Sequence, residues 1–170
     1  CIRDRVLTSV SLKAGQQIKY TQLAEGFTSP TIKKAFELLE TARLFKKIKA
    51  TPLADVPLSF AAKEKKFKTI FLDIGLLCRI NKLSIGLSYE TVKFADMFKG
   101  MLAEQFVGQE LLSALDNDLF YWAREAKSST AEVDFLVEQG GQVYPIEVKS
   151  GPKGRLKSLH LLLDSYPQIK

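Results

Sequence analysis

Two alternating runs, Glu132-Val133-Asp134-Phe135-Leu136-Val137-Glu138 and Val143-Tyr144-Pro145-Ile146-Glu147-Val148-Lys149, flank the polar segment Gln139-Gly140-Gly141-Gln142. Alternation of apolar and polar residues marks a half-buried strand, and a Gly-Gly pair tolerates the positive φ angles of a two-residue hairpin turn. With Gly140 and Gly141 as the loop, Val133 faces Val148, Phe135 faces Ile146 and Val137 faces Tyr144, all on one side. Asp134 then stands opposite Glu147 on the other side, with Lys149 two residues further along it. Carboxylates directly opposite each other repel unless positive charge lies between them. A divalent ion answers that need, since carboxylate oxygens suit Mg²⁺ or Mn²⁺. An adjacent lysine can position an attacking water or steady charge on a phosphate. The plainer alternative is a surface pair in which Lys149 neutralises Glu147 and Asp134 faces water.

Working upstream, Gly100 to Asn117 is the longest helical pattern. At the helical step of about 100° per residue, Met101, Val107, Gly108, Leu111, Leu112 and Leu115 share one face. Gln105, Gln109, Glu110 and Ser113 lie away from it. Glu104 falls within the apolar face. A lone buried carboxylate is costly, so Glu104 is expected to meet a cation, a metal or a hydrogen-bond donor, unless the helix turns it to solvent. Leu119 to Trp122 reads as an aromatic strand, followed by a loop through Arg124, Lys127, Ser128 and Ser129. Leu156 to Tyr166 reads as a further helix. Beside the acidic residues, the basic loop Ser150 to Arg155 is placed to meet a phosphate backbone.

Further upstream the charge changes sign. Residues 1–88 hold 16 Lys/Arg against 7 Asp/Glu, whereas residues 89–170 hold 9 against 12. Arg3 to Leu12 carries an apolar stripe of Val6, Val10 and Leu12. Thr21 is a candidate N-cap for a short helix over 22–25, which Gly26 ends. Ser29 as N-cap and Pro30 at the first position open a helix to about Thr41. Its inward face is read as Ile32, Ala35, Phe36, Leu38 and Leu39. Two helices with a tight Gly-containing turn form a helix-turn-helix pattern, and strands over 44–48 and 68–72 would make a wing. Thr31, Lys33 and Lys34 on the helix and Lys65 and Lys66 in the wing are the candidate nucleic-acid contacts. Winged helices also serve as protein contacts, and the helix is poor in Arg, the commonest base reader.

These residues carry a resemblance. Glu104 on a helix, Asp134 on a strand and Pro145-Ile146-Glu147-Val148-Lys149 on the next resemble the PD-(D/E)xK nuclease superfamily, with a spacing similar to that of archaeal Holliday junction resolvases. The wider pattern is similar to a family of prokaryotic AAA-type ATPases of unknown function, in which a winged helix precedes a nuclease-like domain. The matching stretches are Ser29 to Lys34, Phe67 to Leu76, Glu104 to Val107, Ala131 to Val137 and Pro145 to Gly151. The resemblance implies that Glu104, Asp134 and Glu147 hold Mg²⁺ or Mn²⁺, with the Ile146 or Val148 carbonyl as a possible further ligand. It implies that Lys149 positions the attacking water, and that DNA and an upstream ATPase domain are partners. No Gly-rich Lys-Ser/Thr phosphate loop is present, so the ATPase module lies outside these residues.

The fold expected is therefore mixed α/β: a winged helix-turn-helix over 1–85 and a restriction-endonuclease-like domain over 86–170. The second is read as truncated, because the strand after the 156–166 helix is missing. The function expected is a metal-dependent phosphodiesterase joined to a DNA-binding winged helix. The alternative is a non-catalytic regulatory module that binds nucleic acid or protein for an AAA-type ATPase. Cys1 and Cys78 give neither a disulfide framework nor a metal-ligand spacing, which points to a reducing, cytoplasmic setting. No apolar run approaches the ~20 residues needed to span a bilayer. Cys78, His160, Tyr121 and Trp122 are read as packing or surface residues.

Overall fold

The computed structural model describes residues 1–82, 92–115, 118–125, 131–151 and 155–169. Its helices are α1 (Ile2–Leu12), α2 (Ser29–Thr41), α3 (Ile74–Ile80), α4 (Val92–Ala114) and α5 (Lys157–Ser165). Its strands are β1 (Phe45–Thr51), β2 (Lys63–Phe71), β3 (Phe120–Ala123), β4 (Glu132–Gln139) and β5 (Gln142–Ile146), with two 3₁₀ turns at Tyr20–Gln22 and Leu58–Ala61. The mixed α/β character follows the sequence reading. Lys127, Ser128, Ser129, Pro152, Lys153, Gly154 and the end of the expected 100–117 helix lie outside the described residues.

All five strands join one sheet in the order β2-β1-β3-β4-β5. β1 pairs antiparallel with β2 and parallel with β3, which in turn pairs antiparallel with β4. The two strands read as a wing are thus the first two of a sheet that continues through the second half of the chain. β5 is the outer strand, and Pro145 is tolerated there because an edge residue has no ladder bond to donate on its open side.

Each face of the sheet acquires its own core. α4 lays Val107, Leu111 and Leu112, with Leu115 just past its end, against Ile48, Ala50, Ile70, Tyr121, Phe135 and Val137. α5 brings Leu162 to Phe120, Trp122, Val133 and Leu136. The third core gathers Val6 and Val10 of α1 and Ile32, Ala35 and Phe36 of α2 on Phe45, Phe67 and Phe71. Gly108 sets how closely α4 meets the sheet. A Cβ there would lie 2.7 Å from Ile70 Cδ1 and 3.0 Å from Phe135 Cζ.

Several local expectations need correction. The helix expected over 22–25 is a 3₁₀ turn over Tyr20–Gln22, because Ile18 is tied by backbone bonds to Phe67 and Gly26 follows too soon for a full α-turn. Thr28, not Ser29, is the N-cap residue of α2, which places Pro30 one position further in. Leu38 is 50% exposed, since Leu39 rather than Leu38 completes the inward stripe. Gln105 and Gln109, off the apolar face of the helix, both bond to backbone. Gln105 is buried, accepting from Phe71 N at 3.0 Å and donating to Thr69 O at 3.0 Å, while Gln109 accepts from Ile74 N. Gln105 therefore plugs the open edge of β2, supplying the backbone partners that a further strand would have supplied.

Candidate functional site

β4 delivers its acidic residues through a bulge. Phe120 pairs with Leu136 and Trp122 with Val133, so Tyr121 alone stands against both Asp134 and Phe135. An extra residue in one strand breaks the two-residue period at that point. Val133 and Leu136 consequently pack on the α5 side, while Phe135 and Val137 pack under α4. The expectation that Val133 and Phe135 share a face is corrected by this bulge, and Asp134 comes onto the α4 side with Phe135. The hairpin register is otherwise as read: Phe135 faces Ile146 and Val137 faces Tyr144, with positive φ at Gly140 and Gly141. The ladder ends at Ile146, and Val148 N–H donates to Asp134 Oδ2 at 2.8 Å.

Lys68 lies at the centre of the acids. It sits in β2 within the run Phe67-Lys68-Thr69-Ile70-Phe71, every member of which is buried. Its Nζ is 2.8 Å from Glu104 Oε1, 2.6 Å from Glu132 Oε1 and 3.8 Å from Asp134 Oδ1. The Tyr121 ring lies beneath it, with the centroid 5.2 Å away, a cation–π arrangement. Gly15 closes the near side, where a Cβ would come within 3.0 Å of Glu104 Oε2.

The electrostatics follow from three carboxylates, one ammonium and little water. Burial alone would lower the Lys68 pKa, but Glu104 and Glu132 outweigh it and hold the ammonium charged well above its ordinary range. Glu104 is pushed up to about 7, chiefly by burial and further by the Asp134 and Glu132 charges, with Lys68 opposing. Burial, then the charges of Glu132 and Glu104, raise the Tyr121 phenol, whose hydroxyl has no hydrogen-bond partner.

Of the four residues expected in the site, Glu104 and Asp134 meet the same ammonium. Glu147 pairs instead with Lys149, its Oε1 at 2.5 Å from Nζ, and its side chain is only 7% exposed. Glu147 Oε2 is buried without a hydrogen-bond partner. Among the described residues no three His, Cys, Asp or Glu side chains are arranged to hold a metal ion. One Asp134 oxygen is taken by Val148 N–H, one Glu147 oxygen by Lys149, and Lys68 supplies the positive charge that the acids require. Lys68 and Glu132 are the members that sequence reasoning missed. The available signal was a lysine set between Phe67 and the run Thr69-Ile70-Phe71 of an otherwise apolar stretch.

The basic residues form a second feature. Lys33 of α2 and Lys65 and Lys66 of β2 line one open groove of about 690 Å³ together with Lys19, Tyr20, Thr21, Ser29 and Glu64. The Glu64 carboxyl is held down at about 2 by hydrogen bonds from Lys49 and Lys47, so its charge is already matched by two strand lysines. Lys66 also reaches Glu125 at 3.4 Å, and Lys33 reaches Glu37 at 3.5 Å. Lys34 is exposed on α2 but does not line the groove, and the Thr31 hydroxyl is engaged with Thr28 at 2.8 Å.

Fold and site together describe a mixed α/β protein with a buried lysine–carboxylate cluster under one sheet face and a basic groove at the edge strand β2. Residues 3–87 match the model of a domain of unknown function (DUF8612), and the chain belongs to that family. Residues 99–170 match a second domain of unknown function (DUF4143). No curated protein and no solved structure matches the chain. No helix among the described residues is long and apolar enough to cross a membrane.

Proposed function

We propose that the chain is a nucleic-acid-contacting regulatory module of a larger ATPase-associated protein, with a winged helix at its front and a nuclease-like scaffold behind it. The observation that carries this reading is the groove in which Lys19, Lys33, Lys65 and Lys66 converge beside Tyr20. Lysines along a groove neutralise phosphates without reading bases, and the absence of Arg from α2 agrees with contact that is indifferent to sequence. The ATPase association is supported by the match over residues 99–170, a domain found in AAA-ATPase-associated proteins. Fluorescence anisotropy with a short duplex DNA tests the reading. Neutralising three or four phosphates predicts a loss of roughly a hundredfold in affinity between about 50 and 200 mM salt. Binding that ignores salt, or none at low salt, sinks it.

A second reading, a metal-dependent phosphodiesterase using Glu104, Asp134, Glu147 and Lys149, is favoured by one observation. Glu147 Oε2 is a buried carboxylate oxygen with no partner, and such an atom is costly unless a cation or donor reaches it. Incubating the full-length protein with duplex and branched DNA, Mn²⁺ and nucleotide tests it. Cleavage that is lost in Lys149→Ala would establish the second reading, and no cleavage of any substrate would remove it.

A further inference from the structure

We propose that Lys68 is an internal counter-cation that occupies the place a divalent metal would take among these acids and so keeps the site closed to it. Three carboxylates from two elements of the second half converge on one point, Glu104 from α4 and Glu132 and Asp134 from β4. The charge at that point comes from the first half, on an arm 1% exposed. β2 lies within the stretch matched over residues 3–87, and α4 from residue 99 onward and β4 lie within that matched over 99–170. The lock is therefore assembled across the junction of the two matched stretches.

The physical argument is one of competition. An ammonium at 2.6–2.8 Å from two carboxylate oxygens excludes a divalent ion from the same space. It leaves the cluster short of positive charge, because one ammonium faces three acids. The Tyr121 ring and the aliphatic stem of Lys68 add attachment that a free ion lacks. Alignment of β2 is in turn enforced by Gln105, whose amide bridges Thr69 and Phe71 on either side of Ile70. The same segment of α4 thus supplies both the acid and the clamp that holds the lysine strand in place. This inference is independent of nucleic-acid binding by the groove.

Mn²⁺ binding to the full chain tests it, read by calorimetry and by paramagnetic broadening of the amide signals of Glu104, Glu132 and Asp134. The wild type is expected to show neither heat of binding nor selective broadening at millimolar Mn²⁺. Lys68→Met, which keeps the stem and removes the charge, is expected to bind one Mn²⁺ at least tenfold more tightly, and Lys68→Met with Asp134→Asn to lose that gain. Should Lys68→Met not fold, Lys68→Met with Glu132→Gln removes one excess carboxylate and is read in the same way. Selective broadening in the wild type overturns the proposal. A folded Lys68→Met, alone or with Glu132→Gln, that binds no Mn²⁺ also overturns it.

Discussion

Lys68 Nζ and Glu104 Oε1 lie 2.8 Å apart although 36 positions separate the residues, and both side chains are nearly excluded from water. Breaking a buried pair from one side strands the other charge, which typically costs about 3–5 kcal/mol. Glu104→Gln should therefore destabilise less than Lys68→Met, because two carboxylates remain to partner the lysine, whereas loss of the lysine strands three acids. Urea unfolding of the two single variants and the double variant reads this difference, and strict additivity would show that the pair is not coupled.

The raised Glu104 carboxyl makes stability depend on pH. Its folded pKa, about 7, lies above its ordinary 4.5, so the folded state binds the proton more tightly than the unfolded state does. This group's contribution is fully present below 4.5 and is lost as pH rises through about 7. Urea midpoints measured across that window should fall with rising pH, and the fall should shrink in Glu104→Gln. An unchanged slope in that variant would assign the dependence to another group.

Gly108 faces the sheet at a distance that leaves no room for a methyl group, 2.7 Å from Ile70 Cδ1. Gly108→Ala gains helix propensity but forces Ile70 and Phe135 to move, and overpacking of this kind costs about 1–3 kcal/mol. A lowered melting temperature is expected. A raised one would mean that α4 has slack against the sheet.

Gln105→Leu should cost more than its change in size suggests. It leaves Phe71 N–H and Thr69 C=O buried without partners, each at about 1–3 kcal/mol. Hydrogen exchange should show Phe71 becoming the least protected amide of β2. Unchanged protection there would remove Gln105 from its role at the strand edge.

The hairpin was legible because its two-residue period and its Gly140-Gly141 turn agree on one register, and that register is observed from Phe135↔Ile146 to Gln139↔Gln142. Glu104 was legible as a buried acid in need of a partner, because an acid on an apolar helical face stands out. The partner itself was not. Lys68 reaches it from a strand whose place in the sheet depends on the parallel β1–β3 pairing, which no local pattern encodes. The bulge at Asp134 and Phe135 was invisible for a related reason: it is defined by the neighbour β3, not by the alternation of β4 itself. Gln105 and Gln109 were legible only as lying off the apolar face, because helical periodicity cannot tell water from the open edge of a strand.

We propose contact with nucleic acid through the groove between α2 and β2, and charge reversal of that groove is its test. Lys33→Glu, Lys65→Glu and Lys66→Glu combined should lower the melting temperature only slightly, because the Lys33–Glu37 and Lys66–Glu125 pairs that they break are solvent-facing and worth little. Duplex affinity at low salt should fall by two orders of magnitude or more, and the salt slope should fall by about three times the single-phosphate value of ~0.9. Wild-type affinity and an unchanged salt slope in the folded triple variant would contradict the claim.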